Sequence, residues 1–86
     1  MTNNQFVKII IPYFTEHSIE IYLRDNLIPT DIDMIRFKAL NCLASEKNRE
    51  EIIKDLTKFL QLTGIEIIDI NQIKTESKIH EFPIIL

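Results

Sequence analysis

The chain holds one glycine, Gly64, and three prolines in 86 residues, and this scarcity constrains it more than any motif does. Glycine and proline are the residues that interrupt regular structure, so most of the chain has to lie in helices and strands. The same scarcity removes whole classes of chemistry. Phosphate-cradling loops need glycine where the backbone closes on the ligand, so neither a G-x-G-x-x-G turn nor a P-loop can be written here.

The glycine sits inside the most legible stretch, "NREEIIKDLTKFLQLTGIEIIDI", residues 48–70. Asn48 with Glu51 three residues on has the form of a capping box, with Ser45 as an alternative cap. Ile52, Ile53, Leu56, Phe59, Leu60 and Thr63 fall within an arc of about 120° at the helical turn of roughly 100° per residue. The opposite arc is polar apart from Leu62. Gly64 stands where a left-handed residue would end the helix, with Leu60 and Ile65 placed for the contact that accompanies such a stop. The spacing predicts a helix with one face to bury, followed by a strand.

Eighty-six residues make one domain, expected to span 1–86 with residues 1–5 fraying. Apolar residues are 45% and charged residues 27% of the chain, a balance that favours a folded globule over disorder. The lone Cys42 rules out an internal disulfide, which suits a reducing compartment. The start "MTNNQFVKIIIPYF" lacks a basic leader, and its apolar run of about five residues is too short for a signal peptide or a span. A cytoplasmic location without membrane association is therefore the expectation.

Upstream of the helix, "FVKIIIPYF" (6–14) reads as a strand by its β-branched and aromatic content, with Pro12 calling for an edge or a bulge. "SIEIYLR" (18–24) alternates, Ile19, Ile21 and Leu23 on one face and Glu20, Tyr22 and Arg24 on the other. With "TEHS" as a hairpin loop the two form a pair, although a helix over 15–26 capped by Thr15 competes. In "PTDIDMIRFKALNCLAS" Thr30 can cap a helix carrying Asp31 and Asp33 in its first turn. Apolar residues lie nearly all round this helix, so it should be largely buried; a strand over 35–39 is the lesser alternative. "IEIIDI" (65–70) is apolar on both faces, as an interior strand would be or one that meets a partner. The tail "KIHEFPIIL" is apolar enough to pack as a short edge strand. The expected fold is α+β in the order ββααβ(β): a small single-layer sheet, a hairpin plus one or two further strands, packed on two helices.

Candidate chemistry is thin. His17 beside Glu16 and His80 beside Glu81 fall in a turn and a tail. Cys42 shares a helix face with Ile35, Ala39 and Leu43, as a small buried hydrophobe would. No Cys-x-x-Cys, His-x-x-x-His or EF-hand spacing is present, and no nucleophile elbow. No catalytic residue, metal ligand or cofactor is expected. A net charge of −3 lacks the basic footprint of nucleic-acid binding. The helical half, residues 34–64, has the order of part of a winged-helix domain, but its second helix would expose Glu50, Glu51, Lys54, Asp55, Thr57 and Lys58, a poor match for a polyanion.

That leaves the sheet. Glu20, Tyr22 and Arg24 point away from the helices, along a stripe shared with Lys8 or Ile10 and with Ile68 and Ile70. Tyr and Arg among exposed aliphatics have the composition of an interface centre. The sequence reading is therefore a non-enzymatic protein-binding module acting by occlusion or pairing, in the manner of immunity proteins, antitoxins, phage inhibitors or adaptors. Its partner would be another protein, favoured if basic because Glu16, Glu20, Asp25 and Glu66 would speed the encounter. The alternatives are a winged-helix-like DNA-binding regulator and a structural subunit of a homo-oligomer, a homodimer included.

Overall fold

The Asn48 cap and the Gly64 stop both form as their residues dictate. In the structure, a computed structural model describing residues 5–13 and 18–85, the Asn48 side chain accepts from the Glu51 N–H (2.9 Å) and the Glu51 carboxylate accepts from the Asn48 N–H (3.2 Å). Gly64 has φ +80°. The Ile65 N–H reaches back to the Leu60 carbonyl (2.9 Å) and the Gly64 N–H to that of Gln61 (3.2 Å), the paired bonds of a Schellman stop. Between them lies α2, Arg49–Leu62.

The other elements are β1 (Gln5–Ile11), β2 (Ile19–Arg24), α1 (Pro29–Ala44), β3 (Ile67–Ile68), a 3₁₀ turn (Ile70–Gln72) and β4 (Lys78–Pro83). Residues 19–24 are strand, so the competing helix over 15–26 does not form there; the hairpin loop with His17 lies outside the described residues. The four strands make one mixed sheet in the order β3-β2-β1-β4. β1 pairs antiparallel with β2 and parallel with β4, and β2 pairs antiparallel with β3. The fold is α+β, with the expected order ββααβ(β) and an open sheet.

Register decides which side is core. Val7, Ile9 and Ile11 stand opposite Leu23, Ile21 and Ile19, and all six are buried with Ile35, Ala39, Cys42, Ile52, Leu56, Leu60 and Ile84. Burying one such Ile or Leu is worth about 1.5–3 kcal/mol, against at most about 1 kcal/mol for an exposed ion pair. The apolar layer between sheet and helices therefore holds the fold. Both helices lie on this face: α2 packs on α1 and over β3, while the Arg36 guanidinium sits 5.7 Å from the Phe82 ring centre, putting α1 towards β4.

Four local expectations are corrected. Thr30 is not the cap of α1; Ile28 holds that position, Pro29 opens the first turn, and the Asp31 carboxylate accepts from the Ile28 N–H (3.1 Å). Proline is preformed for that turn, and the acid at the third helical position satisfies the free donor. Pro12 does not put β1 at an edge; the strand ends at Ile11, one residue before it, and is central. "IEIIDI" is not an interior strand. Only Ile67 and Ile68 pair, at the β3 edge, because the Asp69 side chain accepts from the Asn71 N–H (2.9 Å) and turns the chain into the 3₁₀ segment. The fourth concerns α1, of which only Ile35, Ala39 and Cys42 are buried.

Candidate functional site

The stripe expected on the free face of the sheet is present in part. Tyr22 lies between Lys8 and Ile68 in register, Ile10 lies opposite Glu20, and Phe6 opposite Arg24. These residues point away from the helices, yet Phe6 is 6% and Ile68 5% exposed. β3 and β4 run parallel at opposite edges, joined through residues 69–77. Tyr22, beside Ile68 in register, is half-buried. Ile70 is exposed but sits in the 3₁₀ turn, off the sheet. Of the six residues, Ile10, Glu20, Tyr22, Arg24 and Ile68 share the face; Ile70 does not.

The charges there are engaged. Lys8 Nζ lies 3.0 Å from a Glu20 carboxylate oxygen and 5.7 Å from the Tyr22 ring centre; the hydrogen bond to Glu20 holds its ammonium above the usual lysine range. Arg24 Nε meets Glu66 Oε2 at 3.2 Å. Asp25 lies 3.7 Å from His80 Nε2. Of the acids expected to steer a basic partner, three therefore face a cation or a histidine, and Glu16 lies outside the described residues.

Of the residues weighed for chemistry, Cys42 and His80 are not brought together, and His17 lies outside the described residues. Cys42 is enclosed in the core, where loss of water pushes its thiol up from the usual range. His80 is exposed on β4. Among the described residues no polar or charged residue is buried, and no group of three or more His, Cys, Asp and Glu could hold a metal ion. No helix of the described residues is long and apolar enough to cross a membrane.

The surface that does stand out is one that the sequence reading assigned to the core. Thr30, Met34, Phe37, Asn41 and Ala44 recur at intervals of four, three, four and three, within an arc of about 80° at the helical turn. They form the crest of α1 opposite Ile35, Ala39 and Cys42. Phe37, the largest of them, is 69% exposed. Thr30, Asp33, Met34, Phe37, Lys38, Asn41 and Phe59 line a shallow groove of about 580 Å³ between α1 and α2. Lys38 Nζ lies 5.9 Å from the Phe59 ring centre, and Leu62, one turn beyond Phe59, is 78% exposed. The only carboxylate lining the groove, Asp33, lies 3.6 Å from Arg36 of its own helix.

Comparison of the chain with models of protein families, with curated proteins and with solved structures gives no match. The reading of function therefore rests on this geometry.

Proposed function

We propose that this chain is a non-catalytic protein-binding module that acts by pairing a surface with another polypeptide, and that its recognition face is the α1 crest with the groove beside it. One observation carries the proposal. Phe37 stands exposed at the centre of an uncharged crest, flanked by Met34 and Phe59 and rimmed by Arg36 and Lys38. Aromatic and methionine side chains inside a charged rim are the composition of an interface centre. The sheet stripe is the weaker candidate, because Phe6 and Ile68 on it are already buried and its charges are already paired.

The mode of action proposed is occlusion, as in immunity proteins, antitoxins and inhibitors. The test is capture from a lysate of the native host on immobilised wild-type chain and on Phe37→Asp, each checked for folding by circular dichroism. A protein held by the wild type and lost by the variant is the expected result. Identical sets of captured proteins would refute the α1 face as the recognition surface.

A further inference from the structure

We infer that the groove beside α1 takes an acidic, apolar segment of another protein, with a large apolar side chain against Met34, Phe37 and Phe59 and a carboxylate beside Lys38. The inference rests on the reading that this crest is a recognition face, and it names the chemistry of the occupant.

The charges around the groove decide the sign. Asp33 and Arg36 pair within α1 at 3.6 Å, and Lys47 pairs with Asp55 of α2. Of the other acids on the flanks, Asp31 accepts from the Ile28 N–H, Glu51 from the Asn48 N–H, and Glu66 meets Arg24. Two cations are left over. Lys38 and Lys58 both act on the Asp55 carboxyl, helping to hold it below its usual range, but among the described residues neither forms an ion pair. Lys38 lies instead over the Phe59 ring, 5.9 Å from its centre. A chain of net charge −3 thus keeps two uncompensated ammonium groups beside its exposed aromatic residue.

An apolar side chain laid between Phe37 and Phe59 strips water from the Lys38 ammonium. A cation so desolvated costs free energy unless an anion meets it, so the occupant needs a carboxylate at that point. A lysine or arginine there would face Lys38 and Lys58 where water no longer separates the charges. The net negative charge opposes an acidic protein at long range, but salt screens that repulsion beyond about 8 Å at physiological ionic strength. Contact is governed by the local lysines.

Shape says what carries the carboxylate. Small-molecule sites enclose most of their ligand, and this groove is shallow, so a free fatty acid would keep much of its tail in water. A cleft between two helices suits a segment anchored in its own protein, such as an amphipathic helix with Asp or Glu bordering its apolar face.

The test is selection from a displayed library of random peptides on immobilised wild type, Lys38→Glu and Phe37→Asp, each checked for folding by circular dichroism. Peptides enriched on the wild type should join aromatic or aliphatic residues to Asp or Glu. On Lys38→Glu the acids should give way to Lys or Arg. The wild-type peptides should bind Lys38→Gln about fivefold more weakly, the scale of one partly exposed ion pair. Neutral or basic peptides on the wild type, an unchanged selection on Lys38→Glu, or no enrichment over the bare support would each overturn the inference. So would a groove that binds oleate and no peptide. Peptides lost on Phe37→Asp but without a preference for acids remove the acidic occupant and leave the recognition face standing. Peptides that hold equally to Phe37→Asp remove both.

Discussion

The two helices share one layer, one sheet and nearly the same length, yet they treat water in opposite ways. α2 keeps its apolar residues in one arc, with Ile52, Leu56 and Leu60 buried, and turns Glu50, Glu51, Lys54 and Lys58 outward. α1 buries Ile35, Ala39 and Cys42 and turns Met34 and Phe37 towards solvent. A helix selected only to cover a sheet would resemble α2. The exposed apolar surface of α1 is what the proposed binding role would use.

The largest expected effect contrasts the two buried and exposed extremes. Leu56→Ala removes a fully buried side chain of α2 and should cost about 2–5 kcal/mol in denaturant unfolding. Phe37→Ala deletes a larger side chain from α1 and should cost less than about 0.5 kcal/mol when measured on dilute protein. Similar losses from the two would end the contrast, because Phe37 would then be part of the core.

A smaller effect separates the helix ends. Asn48→Ala should cost α2 about 1 kcal/mol, while Thr30→Ala in dilute solution should leave α1 nearly unchanged, since Ile28 and Asp31 form that start. Gly64→Ala belongs beside Asn48→Ala. An added Cβ meets no atom within 4 Å, so its cost of about 1 kcal/mol is that of a left-handed alanine alone. A Gly64→Ala protein no less stable than the wild type would contradict the positive φ.

The smallest effect is electrostatic. Lys47, in the turn between the helices, pairs with Asp55 of α2, and that hydrogen bond holds the Asp55 carboxyl below the usual carboxylate range. A depressed carboxyl adds stability above its unfolded pKa and loses it as the pH falls through the folded one. Stability should therefore decline on acidification through the carboxylate range, and Asp55→Asn should flatten that limb slightly. Both groups are exposed, so the change should be slight and should shrink in high salt.

What was legible in the sequence follows the same division. The start and stop of α2 are local: Asn48 and Glu51 satisfy each other's free donors, and Gly64 takes a conformation that other residues resist. Short-range rules reach such features. The cap of α1 escaped them because Asp31 reaches back to the Ile28 N–H, while Thr30 offered a more conventional cap. The parallel pairing of β4 with β1 joins residues more than seventy positions apart, and no local pattern announces it. The turn at Asp69 that ends β3 is equally silent about where the chain goes next. The burial of Phe6 and Ile68, on a face that alternation alone leaves open, is likewise unannounced by the local pattern. On α1 the ambiguity was one of pattern: apolar residues all round a helix describe a buried helix and a helix with an exposed crest equally well.

The central claim, that α1 and not the sheet carries the recognition face, is tested most directly by backbone amide NMR shifts followed as a protein captured from the host lysate is titrated in. The account predicts concentration-dependent shifts gathered at Thr30, Met34, Phe37, Asn41 and Phe59. Shifts gathered instead at Ile10, Glu20, Tyr22 and Arg24, or none at any concentration, would contradict it.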